Sequence, residues 1–458
     1  MMTRFKLAAL ACVVLTVPAQ AQNFAETFDG LLRSGRIADA QQAATERLVE
    51  APDDAQAKFA LGAAQFLGAV EAFGHGLYTY GLISGPQEDS AMAEMPFLRL
   101  PIPLNLHPQP MTYDGLRRLL QQFGSDLARS EQTLASVPDG PVALPLDAGE
   151  IRFDFAGSGS GSDRPTLAIA LSSISGVPPE ELGIIEFDEG DVPWLEGYAH
   201  LLQGLTDFLL AHDFSRSVDL TFHDLFPYSE LTSAPLRAAA QEQRLIVAAI
   251  GYEACTMPDW YWERAYGEGD PGFTAEEKAQ IETAQACGSA QSALWASSIG
   301  DLVAFVHLFD WPVVEPERMK SSRLHLLDMI ALSRESWRLI RAETDDNHEW
   351  LPSPDQTGPF QNMQVTEQRL EAWAGFLDQA EGVLQGRLLI PHWRFPHDRG
   401  LNIRRMFDEP RRFDLVLLVT GVAAIPYVEK GPLAPSSTME GLDRVLAGGP
   451  LAYFLWFN

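Results

Sequence analysis

Residues 194–213, WLEGYAHLLQGLTDFLLAHD, decide the fold of this chain. Read at the roughly 100° per residue of an α-helix, the stretch is apolar on nearly all sides. A helix of this kind belongs in the middle of a domain, and we predict a mainly helical protein built around it. The exception is a polar stripe at spacings of 4, 3 and 4, formed by Glu196, His200, Gln203 and Asp207.

A row of small residues runs beside this stripe, one per heptad: Gly197, Gly204 and Ala211. A glycine inside a helix costs about 1 kcal/mol relative to alanine. Two glycines at this spacing therefore predict that another element packs closely against the helix.

The first 21 residues have the pattern of a secretory signal peptide. A basic start with Arg4 and Lys6 precedes a short apolar segment, 7–17, and a small-residue cleavage pattern that ends at Ala21. We predict cleavage after Ala21 and a periplasmic or secreted protein. Neither this apolar segment nor the later one at 415–425 is long enough to span a bilayer, so we predict no integral membrane segment.

The composition indicates a folded, strongly acidic protein. Of 458 residues 46% are hydrophobic, and 62 acidic against 33 basic residues give a net charge of −29. Such a chain can bury a large core, which excludes wholesale disorder. Its surface repels phosphate backbones, which argues against a nucleic acid partner, and it repels anionic lipid.

Two cysteines remain once the signal peptide is removed, Cys255 and Cys287. An even pair in an exported protein predicts a disulfide bond. The alternative is a pair of buried, reduced thiols.

The N-terminal region has the pattern of consecutive helices, with breaks at 34–35 and 51–54. Pro86 follows Pro52 by 34 positions, the repeat length of the tetratricopeptide family. Its small, terminating and packing positions are matched by Ala40, Pro52, Leu61 and Gly62. Residues 24–86 therefore resemble one and a half tetratricopeptide repeats, which implies a surface for a protein partner. A plain helical hairpin is the alternative, and the glycine-rich end of this region does not read as a good helix.

The chain divides into a signal peptide (1–21), a tetratricopeptide-like helical region (22–86), a proline-rich connector (87–110) and a mainly helical domain (111–458) with a small β element at about 141–190. The predicted strands are 151–155, 167–171 and 184–187. The predicted helices of the large domain are 113–134, 194–213, 234–255, 301–309, 318–342, 366–384 and one that begins at 437. A further helix is predicted to begin at a capping box formed by Thr274 and Glu277 and to run past Cys287.

The polar stripe is the first candidate for chemistry. Glu196 and His200 lie four apart on one helix face, a spacing that lets two side chains share a metal, and Asp207 ends the same stripe. Carboxylates with one histidine suit a divalent ion, and four further carboxylates crowd the segment 186–191. Alternatively, the stripe is the only solvated face of the helix, or His200 is a hydrogen-bonded core residue. No specific metal motif is present.

Two His-Asp pairs follow, at 212–213 and 223–224. Adjacent helix residues point about 100° apart and do not face each other. We therefore interpret His212 as part of a helix end and His223 as part of a turn.

The segment 392–413 carries six arginines against three acidic residues. Arginine binds carboxylate, sulfate or phosphate groups through paired N–H donors. Arg394, Arg404 and Arg405 are therefore candidates for binding an anionic ligand, together with His200 and Asp207. The alternative, which we favour, is that these arginines pair with the protein's own carboxylates.

Two functions remain open. The favoured one is non-enzymatic: an exported helical scaffold that binds a protein partner, through its N-terminal helices, or an anionic ligand. The other is a secreted enzyme acting on an acidic substrate, with a divalent metal as the cofactor that the stripe would hold. An enzyme would bring the stripe and the arginines into one cleft.

Overall fold

The computed structural model describes residues 17–84, 99–159, 164–175, 182–251, 255–266, 272–360, 364–435 and 456–457. The chain is mainly helical, with few short strands, as predicted. The helices are α1 Val17–Arg33, α2 Ile37–Glu50, α3 Ala55–Thr79, α4 Tyr113–Leu134, α5 Leu167–Ser175, α6 Asp191–Ala211, α7 Ser215–Thr221, α8 Ala234–Ile250, α9 Asp259–Ala265, α10 Ala275–His307, α11 Pro316–Ile340, α12 Glu367–Leu384, α13 Ile403–Asp408 and α14 Leu415–Val419. The strands are β1 Leu144–Leu146, β2 Ile185–Phe187, β3 Asp310–Trp311, β4 Ile390–Pro391, β5 Arg399–Leu401, β6 Phe413–Asp414 and β7 Val428–Lys430.

The N-terminal helices α1, α2 and α3 end and begin at the predicted breaks. Gly35 adopts the left-handed conformation between α1 and α2, and Asp54 caps α3 by accepting a hydrogen bond from the N–H of Ala57. The sequence predicted that 74–79 would not form a good helix, and this prediction is wrong, because α3 continues to Thr79. Its glycines leave room for neighbouring side chains: a Cβ on Gly74 would collide with the ring of Phe155. The tetratricopeptide resemblance itself is not confirmed.

The β element differs from its prediction in two of three places. Strand β2 lies where predicted and pairs antiparallel with β1, which the sequence had not indicated. The predicted strand 151–155 has an alternating burial pattern but forms no named strand; its one β-type pairing is an isolated bridge from Arg152 to Thr166. The predicted strand 167–171 is helix α5, because the hydroxyl of Thr166 accepts the N–H of Ile169 and starts a helical turn.

Helix α6 packs between α4 and α11, and Gly204 lies at the close contact with α11. A Cβ on Gly204 would lie 3.3 Å from the carbonyl oxygen of Ser322 and 3.4 Å from the Cβ of His325. The hydroxyl of Ser322 donates a hydrogen bond of 2.7 Å to the carbonyl oxygen of Gly204. The predicted close approach is thus made by α11.

The second half of the chain follows the predicted helices closely. Thr274 and Glu277 form the predicted capping box at the start of α10. This helix runs unbroken to His307, so the prediction of a separate helix from 301 is wrong. The helix continues because its sequence contains no proline and because a glycine, Gly300, is tolerated within it. The disulfide bond between Cys255 and Cys287 is confirmed, with Cα atoms 4.8 Å apart. The helix predicted from 437 lies outside the described residues.

One main hydrophobic core joins side chains from both predicted regions, 22–86 and 111–458. Phe28 and Phe59 of the N-terminal helices belong to it together with Trp373 and Phe457. Among the helices that the structure describes, none has the length and apolar character needed to cross a membrane.

Candidate metal centre

The polar stripe of α6 faces the interior. His200 and Gln203 are only 8% and 7% exposed, because α4 and α11 cover this side of the helix. The stripe is therefore not a solvated face. Its side chains meet polar groups from both neighbouring helices.

Three potential ligand atoms converge where α4 meets α6. The Nε2 atom of His200 lies 3.9 Å from Oε1 of Glu131, which projects from α4. Glu131, Glu196 and His200 each offer one ligand atom, and these three atoms all lie within 4.8 Å of one another. Two bonds of about 2.1 Å to a shared ion span at most about 4.2 Å, so a small contraction would let one ion contact all three.

The other ring nitrogen of His200 connects the cluster to α11. Its Nδ1 atom lies 2.8 Å from Nδ1 of His325, so one ring must donate to the other. Nε2 of His325 lies 3.9 Å from Oδ2 of Asp207, and Arg318 donates to Oδ1 of the same carboxylate at 2.6 Å. The carboxylate of Asp207 favours a proton on the facing nitrogen of His325. That tautomer makes His325 Nδ1 the acceptor and His200 Nδ1 the donor, and leaves a lone pair on His200 Nε2.

The pKa values of the cluster reflect burial and like charge. Burial, followed by repulsion from Glu131 and Asp328, raises the pKa of Glu196 to about 7. The pKa of Glu131 is raised by burial and by Asp328. Burial and the neighbouring His325 lower the pKa of His200 to about 4, so its ring is neutral at pH 7. The lone pair of His200 faces the crowded carboxylates of Glu131 and Glu196. A bound cation would stabilise this arrangement.

The candidate anion-binding arginines are all paired with groups of the protein itself, some within the segment 392–413 and some just beyond it. Arg404 pairs with Asp408 at 3.1 Å, and Arg405 pairs with Glu409 and Glu429 at 3.0 and 2.9 Å. Arg394 donates to the carbonyl oxygen of Thr420 at 2.8 Å. These ion pairs match the alternative that we favoured from the sequence. Arg318 reaches the stripe through its ion pair with Asp207.

Asp188, one of the four carboxylates of the segment 186–191, belongs to a second group near the start of α6 that shares no residue with the stripe. Asp188 lies there with Glu343 and Glu349, and all three offer ligand atoms within 4.8 Å of one another. Burial and repulsion by Asp188 raise the pKa of Glu343 to about 8, and burial raises that of Glu349 to about 7. The amide of Gln356 donates to Glu343 at 3.1 Å.

Sequence reasoning missed the residues that α4 and α11 contribute to the centre. A signal for α11 exists, since Arg318, Ser322 and His325 are spaced 4 and 3 and so share one helix face. Nothing local marks Glu131 as a partner of His200, because the two lie 69 positions apart. The chain matches no protein-family model, no curated protein and no solved structure.

Proposed function

We propose that the protein binds a divalent transition metal through Glu131, Glu196 and His200. The observation that carries this proposal is the convergence of the three ligand atoms within 4.8 Å across two packed helices. A buried carboxylate group of this kind is costly when its charges are uncompensated. A divalent ion would neutralise both glutamates and bind the lone pair on His200.

One imidazole and two carboxylates suit borderline ions such as Zn²⁺, Mn²⁺ or Co²⁺. The contact between Nδ1 of His200 and Nδ1 of His325 meets the requirement of a metal-bound histidine, whose second nitrogen must donate to a fixed acceptor. Asp207, held by Arg318, lies 3.9 Å from Nε2 of His325 and favours the tautomer in which His325 is that acceptor. Both histidines are held neutral by burial, which lowers the pKa of each and keeps the ligand free of a competing proton near neutral pH.

Three protein ligands leave a coordination position for water or for an atom of a substrate. Asp328, an exposed residue of α11, lies close enough to the cluster to raise the pKa of both glutamates. A metal held by these three residues would act as a Lewis acid that polarises what binds to it, and an acidic substrate would be the natural ligand for its open position. This chemistry supports the metal-dependent enzyme more than it supports an anion site built on the arginines of 392–413.

The test is calorimetric titration of metal-free protein with Zn²⁺ and with Mn²⁺. The variants Glu196→Gln and His200→Asn remove one ligand each and should weaken binding at this centre by at least about tenfold. Glu317→Gln is the matched control, because it neutralises a carboxylate on α11 that is 82% exposed. Equal affinity in all four proteins would refute the proposal.

A scaffold function has support from a different surface. Helix α10 exposes a seam at spacings of 4, 3 and 4, the pattern with which helices pair. The exposed fractions are 71% for Trp295, 42% for Ile299, 47% for Leu302 and 38% for Val306. We therefore propose as second candidate that an amphipathic helix of a partner docks along this seam.

In a sample of the purified protein, the partner that could dock along this seam is a second copy of the chain, so the test is self-association. Light scattering over a concentration series should show association that Leu302→Glu abolishes and that Ser297→Glu, an exposed position off the seam, leaves unchanged. A monomer at every concentration would refute self-association through α10.

A further inference from the structure

The turn after α7 carries a histidine that neither candidate function uses. His223 and Asp224 lie in this turn, and α10 places Asp301 beside them. Nε2 of His223 lies 3.9 Å from Oδ2 of Asp224 and 3.9 Å from Oδ2 of Asp301. The two members of the His-Asp pair thus face the same point, because they lie in a turn and not in a helix.

Two polar atoms of this cluster are buried without a hydrogen bond. His223 is only 3% exposed, and its Nδ1 atom is buried without a hydrogen-bond partner. Oδ1 of Asp224 is buried without one as well. At 3.9 Å, Nε2 is too far from either carboxylate for a direct hydrogen bond. The atoms that face one another across the cluster are Nε2 of His223 and Oδ2 of each aspartate, and their separations leave room for an ion between the three side chains.

We propose that His223, Asp224 and Asp301 form a second divalent cation site, with Zn²⁺ as the ion that its donors suit best. Two bonds of about 2.1 Å span at most about 4.2 Å, so both separations of 3.9 Å fit a shared ion. One imidazole nitrogen and two carboxylate oxygens are donors for a borderline ion. The cluster is independent of the centre at His200, since the two share no residue.

The position of the cluster indicates a structural role. The buried side chains of α10 are Ile281, Ala284, Cys287 and Ala290, all in its first half, and no side chain of α8 is buried. The disulfide bond anchors this first half. Asp301 lies in the second half, so an ion bound there would tie that half of α10 to the turn after α7.

Titration of metal-free protein with Zn²⁺, followed by thermal melts, tests this site. The wild type should melt higher with Zn²⁺, and Asp301→Asn should lose about one equivalent of bound zinc and weaken binding at this site at least about tenfold. Glu282→Gln is the control, an exposed carboxylate on the same helix. Because Asp301 is 33% exposed, its variant tests the site even where His223→Asn fails to fold.

Combination with His200→Asn separates the two sites. If only this site exists, Asp301→Asn alone abolishes zinc binding and His200→Asn has no effect. If zinc stoichiometry and the melting temperature in zinc are the same in Asp301→Asn as in the wild type, the second site does not exist. A bound water in place of the ion would give that same result and would overturn the proposal.

Discussion

Replacement of Gly204 tests the packing on which the candidate centre depends. A Cβ at this position would lie 3.3 Å from the backbone oxygen of Ser322, a distance tighter than most real Cβ contacts. The same turn of α11 carries His325, whose Cβ would lie 3.4 Å away. Backbone atoms cannot rotate aside, so the helices must separate to admit a larger side chain.

The expected magnitude follows from two opposing effects. Replacing glycine in a helix with leucine gains about 0.8–1 kcal/mol in helix propensity. Overpacking a well-packed interface costs about 1–3 kcal/mol, and a leucine here meets backbone, which places it at the upper end. We therefore expect Gly204→Leu to lower the free energy of unfolding by about 2 kcal/mol, and Gly204→Ala to change it little because its propensity gain offsets a milder contact.

Urea denaturation of the three proteins measures these differences. Gly300→Ala is the matched control: a Cβ at this helical glycine of α10 meets open space, so the same substitution should stabilise by about 1 kcal/mol. Displacement of α11 should also weaken metal binding in Gly204→Leu, since His325 moves with it. A Gly204→Leu protein as stable as the wild type would show that α6 and α11 do not pack in this way.

Three further predictions concern charge and covalent structure. The folded-state pKa of Glu196, about 7, exceeds its ordinary 4.5, so the folded chain keeps a proton that the unfolded chain releases and loses stability as the pH rises from 4.5 to 7. The free energy of unfolding of metal-free Glu196→Gln, relative to that of the wild type, should therefore rise by about 1–2 kcal/mol across this window, after allowance for solvent screening. Urea denaturation at several pH values measures this difference. A difference that does not change with pH would contradict the raised pKa of Glu196. Changing Arg404 and Arg405 together to glutamine should lower the melting temperature, because both pair with neighbouring carboxylates, and should leave sulfate binding unchanged; the reverse outcome would restore them as an anion site. Replacing Cys255 and Cys287 with serine should lower the free energy of unfolding by about 3–4 kcal/mol, the chain-entropy value for a loop closed across 32 residues, and unchanged stability in denaturation would count against that account.

The sequence by itself determined those features that depend on neighbouring residues. The helical period of 194–213, the capping box at Thr274 and the breaks between the first three helices are local patterns, and each produced the predicted element. The glycine row even predicted a close neighbour, because a helix tolerates such residues at a cost that packing must offset. The strand predicted at 167–171 was wrong, because its short apolar run suits a strand or a helix equally; in the fold it is a helix, and the hydroxyl of Thr166 accepts the N–H of Ile169 at its start.

Only the tertiary structure decided which polar faces meet. Glu196 and His200 were recognisable as one stripe, but Glu131 and His325 join them from other helices, and Asp301 reaches His223 from 78 positions along the chain. Helix periodicity fixes the direction of a side chain about its own axis and carries no information on the helix opposite. The partners of a buried charge, and with them its pKa and its capacity to hold an ion, are therefore set by packing.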